Sequence, residues 1–146
     1  MTTLKNALFV LLLAILTGCA EKTGYYEPGQ QEIIDNLTDN KWERKYHARL
    51  DNGQEFDVHE IWKFEDTGKG SYKTITTYED KGDEEIITYF NWSFTTPDFS
   101  IIYMDYPRYW TIDKLTANKL CVYQTYDDPV SVTGQDRDYR EYTSTN

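Results

Sequence analysis

The chain has 146 residues, a formal net charge of −10 and a mean hydropathy of −0.72. That length is enough for one domain with a single core, and an acidic surface repels phosphate backbones, which argues against nucleic acid as a partner and against attraction to anionic lipid headgroups. Aromatic residues make up 16% of the chain, with thirteen Tyr and four Trp, a richness common in small β-proteins and in surfaces that bind sugars or lipids.

The first segment reads as a secretory leader. Lys5 supplies a basic start, an apolar run extends from Ala7 to Leu16, and the composition turns polar at Glu21 and Lys22. A bilayer core needs ~20 apolar residues, so this ten-residue run is too short for a membrane-spanning helix. Leu16-Thr17-Gly18-Cys19 resembles the lipobox of bacterial lipoproteins. The resemblance implies cleavage after Gly18, acylation of the Cys19 thiol and attachment to the membrane through that lipid. Removing residues 1–18 leaves 128 residues, and the loss of Lys5 takes the net charge from −10 to −11. Because stable anchoring by lipid takes two acyl-type signals, the processing usual for such lipoproteins accounts for retention without a basic surface. Ala20, rather than an aspartate, follows the cysteine, which implies the outer membrane by the rule known in enteric bacteria. With Cys19 committed to lipid, Cys121 is left alone. It lies in the apolar run Leu120-Cys121-Val122 and reads as a buried structural thiol.

Residues 19–31 carry Gly24, Pro28 and Gly29 and read as a tether. Residues 31–39 place Ile33, Ile34 and Leu37 on one face of a short helix, suited to plug one end of a barrel. From Lys41 the hydrophobic period changes to two. Trp42, Tyr46, Ala48 and Leu50 alternate with polar residues, and after the turn signal Asp51-Asn52-Gly53-Gln54 so do Phe56, Val58, Trp62 and Phe64. Six further strands are predicted at 71–79, 86–95, 99–105, 109–115, 119–126 and 139–143, with a polar loop over 127–138. A two-residue Asn52-Gly53 loop would set even positions against odd ones, whereas the apolar sets are even on both strands. The loop must therefore hold three or five residues, or a bulge must reset the register. Eight short strands joined mostly by tight turns, without intervening helices, predict an all-β antiparallel up-and-down meander over residues 32–146. Closing it into a barrel removes its edges.

The order of these residues resembles the small lipocalin-like lipoproteins of Bacteroides-type bacteria. The resemblance rests on Asn40-Lys41-Trp42, where lipocalins carry Gly-x-Trp, and on Trp62-Lys63-Phe64 and Trp92-Ser93-Phe94. It extends through the run Tyr109 to Leu115, Leu120 and Val122, and the terminal Tyr139-Arg140-Glu141-Tyr142. It implies a lipocalin-like barrel, and Arg140 on the last strand packed across the Trp42 ring, a contact worth ~0.5–2 kcal/mol.

The candidate pocket wall is the inward aromatic set Trp62, Tyr72, Phe90, Trp92, Phe94 and Tyr103. Such a set suits a small apolar or ring-shaped ligand, although a barrel of about eight strands is also narrow enough to fill itself with side chains. A non-enzymatic binding module is the first reading, and a filled barrel serving an envelope complex is the second. Tyr103, Tyr106, Tyr109 and Trp110 gather around Pro107, as a stacking surface or as packing around a bend. His47 and His59 are expected opposite each other on the polar face, where Asp57 or Glu43 could complete only a weak zinc site. Asp127, Asp128, Asp136, Asp138 and Glu141 lack the order of a calcium loop and read as solvated charge. No Gly-x-Ser-x-Gly, His-x-x-x-His or P-loop occurs, so neither a cofactor nor a metal is expected. Glu60 and Asp105 fall on inward-phased positions and are the carboxylates a hydrolase reading would use.

Overall fold

The computed structural model describes residues 26–145. The leader, Cys19 and most of the tether lie outside them. One helix, α1 (Pro28–Thr38), precedes eight strands: β1 (Lys41–Arg49), β2 (Glu55–Phe64), β3 (Lys69–Tyr78), β4 (Gly82–Phe94), β5 (Ile101–Met104), β6 (Arg108–Leu115), β7 (Lys119–Thr125) and β8 (Asp138–Thr145). Each strand pairs antiparallel with the next, and β8 returns to β1 through Trp42↔Ser144, closing the barrel. This is the all-β meander expected from the period-two pattern.

The β1–β2 turn resolves the parity conflict. The Leu50 amide donates to the Gln54 carbonyl at 2.9 Å, which leaves Asp51, Asn52 and Gly53 at the tip, with Gly53 at φ 87°. An odd number of tip residues, with a glycine where φ is positive, sets even against even, so Trp42 faces Trp62 and Ala48 faces Phe56. Trp62 and Phe64 consequently point inward and are fully buried. This register also corrects the histidine expectation. His47 faces Asp57 and His59 faces Lys45, so the two histidines are not opposite each other.

The helix begins three residues earlier than the apolar stripe predicts, which shortens the tether. Pro28 and Gly29 read as loop formers, but Pro28 opens the helix, where its fixed φ and missing N–H are tolerated. The Gln30 side chain also reaches back to accept from the Glu27 amide at 3.0 Å. At the other end, Lys63 donates to the Thr38 carbonyl and, at 3.3 Å, to the Asn40 carbonyl, satisfying oxygens that the helix leaves free. The Trp42 indole donates to the Leu37 carbonyl at 3.0 Å, and Leu37 is buried in the core. The helix is thereby stapled over one end of the barrel.

The barrel wall is uneven. β4 pairs with β3 over ten residue pairs but with β5 over only three, Trp92↔Met104 to Phe94↔Ile102. From Gly82 to Phe90, therefore, β4 has β3 on one side and no strand on the other. Ile86, Ile87 and Tyr89 are exposed there. The interior has a closed end under the helix and an open flank beside the bare edge of β4 from residue 82 to 90.

Candidate functional site

The inward positions divide into two zones. Toward the helix the rings stack on one another. The Trp62 centroid lies 4.0 Å from Tyr72, 4.6 Å from Trp110 and 5.6 Å from Phe90, and Phe64 lies 5.5 Å from Trp92. Rings at these separations are in contact. Trp92 and Phe94 sit lower, on the helix side. They line a hollow of about 280 Å³ with Tyr26, Ile34 and Phe99, and Trp62 is not part of it. Phe99 holds φ 58° and stacks flat on Phe94 at 4.4 Å.

Of the six aromatic residues expected in a pocket wall, five pack in or against the core cluster: Trp62, Tyr72, Phe90, Trp92 and Phe94. Tyr103 is the correction. Its neighbours Ile102 and Met104 are fully buried in the core, so strand alternation turns Tyr103 to the outer wall, where its ring meets Tyr109 at 5.0 Å. The aromatic group around Pro107 is split in the same way. Trp110 and Tyr106 pack inward, while Tyr103 and Tyr109 face out.

Away from the helix the interior is polar. Glu60, on β2 two residues before Trp62, is only 2% exposed. Its Oε1 accepts from Arg44 Nη2 at 3.1 Å and from the Tyr46 hydroxyl at 3.1 Å, and its Oε2 accepts from the Tyr142 hydroxyl at 3.3 Å. Arg140 Nη1 lies 3.9 Å from the same carboxylate. A buried carboxylate requires this kind of enclosure by donors and cations. Burial, and then the Glu60 charge, raise the pKa of Tyr46, Tyr72 and Tyr142, so all three keep their protons at neutral pH. Burial works against the Arg140 cation, but Tyr142, Asp138 and Glu60 outweigh it and raise its pKa.

Arg140 does not cover Trp42. Its guanidinium is held by Asp138, with Nε at 2.7 Å and Nη2 at 2.6 Å from Oδ2, and it leans toward Glu60. The helix occupies the place beside Trp42 instead. A third arginine, Arg108, opens β6 opposite Met104 of β5. Its Nη1 donates to the Gln124 side-chain oxygen at 3.1 Å, and that oxygen also accepts from Trp110 Nε1 at 3.1 Å. The Arg108 guanidinium sits 4.2 Å from the Tyr106 ring centroid and 5.6 Å from that of Trp62.

Three buried side-chain atoms among the described residues lack a hydrogen-bond partner: Arg44 Nε, Arg108 Nε and Trp62 Nε1. All three are donors, and all three belong to inward positions in or bordering this polar zone. The arrangement can accept hydrogen-bond acceptors and negative charge.

The remaining candidates fall apart into local pairs. Asp105 is exposed and accepts from the Asn91 amide and side chain, both at 2.7 Å, and the Asn91 side chain first, then its amide, hold its carboxyl below the usual range. It shares no partner with Glu60. His47 bonds Asp57 at 3.0 Å and His59 bonds Glu43 at 2.8 Å, on the outer wall where Lys45, His47, Asp57, His59, Ile75 and Thr77 border a shallow groove. No group of three or more His, Cys, Asp or Glu suited to a metal occurs among the described residues. In the polar loop, Asp128 accepts from Val130 N and Ser131 Oγ, Asp138 holds Arg140, and Glu141 holds Lys119. Cys121 is free and buried.

Sequence reasoning singled out Glu60 but missed Arg44, Arg108 and Gln124. A signal was present, because Arg44 shares the parity of Trp42, and Gln124 that of Leu120 and Val122. Comparison of the chain with protein-family models, curated proteins and solved structures returned no match.

Proposed function

We propose that the protein is a lipocalin-like lipoprotein of the cell envelope, tied by lipid on Cys19 to the outer membrane. We propose further that it is a non-enzymatic module binding a small apolar or ring-shaped ligand. The ligand enters at the open flank and rests in the polar half of the interior, above the stacked rings rather than among them. One observation carries this reading: three buried donors on inward side chains, Arg44 Nε, Arg108 Nε and Trp62 Nε1, have no hydrogen-bond partner, and two of them are neighbours, with the Arg108 guanidinium 5.6 Å from the Trp62 ring. Unsatisfied buried donors are costly, on the order of 1–3 kcal/mol each, and an occupant bearing acceptors removes that cost.

A second reading, a filled barrel serving a protein partner in the envelope, is favoured by the bare β4 edge with Ile86, Ile87 and Tyr89 exposed. Native mass spectrometry of the protein purified from its own envelope separates the two. A retained small molecule is the expected result, and a stoichiometric co-purifying protein with an empty barrel would favour the second reading. The anchor is tested separately: Cys19→Ser should move the protein from the membrane to the soluble envelope fraction.

A further inference from the structure

We propose that Arg108 is the anchor for a carboxylate, and that the ligand is an aromatic monocarboxylic acid whose second hydrogen bond comes from Trp62 Nε1. The proposal rests on the binding-module reading above and adds the chemical class of the ligand.

Arg44 and Arg140 both engage Glu60, and Arg140 also holds Asp138. Arg108 has no carboxylate partner among the described residues. Its one protein acceptor is the neutral side-chain oxygen of Gln124, which it shares with Trp110. Asp138 is 59% exposed and Glu60 is buried, and between them they serve Arg44 and Arg140; among the described residues Arg108 is the one inward guanidinium that no carboxylate faces, in a chain whose net charge is −10. A single negative charge balances that guanidinium. A dianion such as a phosphate monoester would overshoot, and would do so close to the enclosed Glu60.

Geometry narrows the class further. A guanidinium offers a planar fork that matches the two oxygens of a carboxylate. The free donor on that fork, Nε, is buried, and the indole N–H of Trp62, whose ring is 5.6 Å from the same guanidinium carbon, is likewise buried and free. Two free donors, one of them charged, fit two oxygens. Beside the guanidinium the rings of Tyr106, Tyr72 and Trp62 are in contact with one another, Tyr72 lying 5.9 Å from Tyr106 and 4.0 Å from Trp62, and together they make one aromatic surface. An aromatic surface beside a cation favours a flat aromatic body attached to the acid.

The test is isothermal titration of the full-length protein with naphthalene-2-carboxylate and its neutral counterpart naphthalene-2-carboxamide, which have nearly the same shape. The carboxylate is expected to bind at least tenfold more tightly than the carboxamide. Its addition should also shift the Trp62 indole N–H resonance. Arg108→Met should cost at least tenfold in carboxylate affinity and abolish the difference between the probes. Arg108→Lys, which keeps the charge but not the fork, should restore only part of it. Equal affinity for the two probes would overturn the Arg108 anchor while leaving the binding module standing. Binding of neither probe, together with no small molecule retained on the native protein, would overturn both. The two-probe comparison on the unaltered protein does not depend on how any variant folds.

Discussion

The helix-covered half and the open half of this barrel are lined by the same device, alternate residues of eight strands, yet they satisfy their interiors in opposite ways. Under α1 the inward residues are Trp42, Phe64, Ile102, Trp110 and Leu120, all fully buried, and contact among apolar surfaces suffices. In the open half the inward residues are Arg44, Tyr46, Glu60, Arg108 and Arg140, where each buried polar group needs a specific partner; Arg44 Nε and Arg108 Nε have none, and neither does Trp62 Nε1 at the border. The first half stabilises the fold by area, and the second uses that stability to hold charges in place. Since apolar packing tolerates no vacancy and a polar enclosure tolerates no missing partner, the two halves should fail differently when altered.

The largest effect should come from the packed half. Phe64→Ala removes a ring that touches Phe90, Trp92 and Trp110 and should lower the unfolding free energy by about 3–5 kcal/mol in a denaturant titration. In the polar half, Glu60→Leu leaves Arg44 and two tyrosine hydroxyls without their acceptor and should cost about 3 kcal/mol. If the loss is much smaller and Arg44→Met in the same background restores nothing, the carboxylate is not the centre of that enclosure. Gly70→Ala probes the border between the halves. An added Cβ would lie 2.5 Å from the Phe90 ring and 2.8 Å from the Lys63 carbonyl, so a loss of about 1–3 kcal/mol is expected. Lys63→Met releases the helix end and should cost about 1 kcal/mol, with faster amide exchange confined to α1.

The smallest effect concerns the outer wall, which serves as the control for both halves. The hydrogen bond to Asp57, aided by the Asp57 and Glu55 charges, raises the His47 pKa above its ordinary value. A raised folded pKa favours the folded state at pH values below the ordinary one, and the advantage fades as pH climbs through the raised value. Because the pair is exposed, the change in stability should be slight. An NMR titration should show the His47 midpoint above that of an unstructured peptide, and Asp57→Asn should return it toward the ordinary value.

The comparison also explains what could be read before the fold was known. The alternation of Phe56, Val58, Trp62 and Phe64 states which face is inward, because a strand has only two faces and a barrel wets only one. The even parity on both β1 and β2 even forced an odd loop, which the Leu50–Gln54 hydrogen bond supplies. The same logic failed at Tyr103, because β5 is only four residues long and a short strand carries too few alternations to establish its phase. It also passed over Arg44 and Arg108, because a charged residue at an inward position looks like an error of phase until a buried partner is seen across the barrel.

Local chemistry, period and turn residues thus determined that this chain makes an antiparallel barrel plugged by a helix, with Glu60 at an inward-phased position. These depend on neighbours within a few residues or on a strict repeat of two. The tertiary structure alone decided that Glu60 meets Tyr142, eighty-two positions away, that the helix rather than Arg140 lies beside Trp42, and that β4 outruns β5 to leave its own edge bare. Those outcomes turn on which distant side chains share one small enclosed volume and on where the wall runs out, and no short stretch of sequence encodes either.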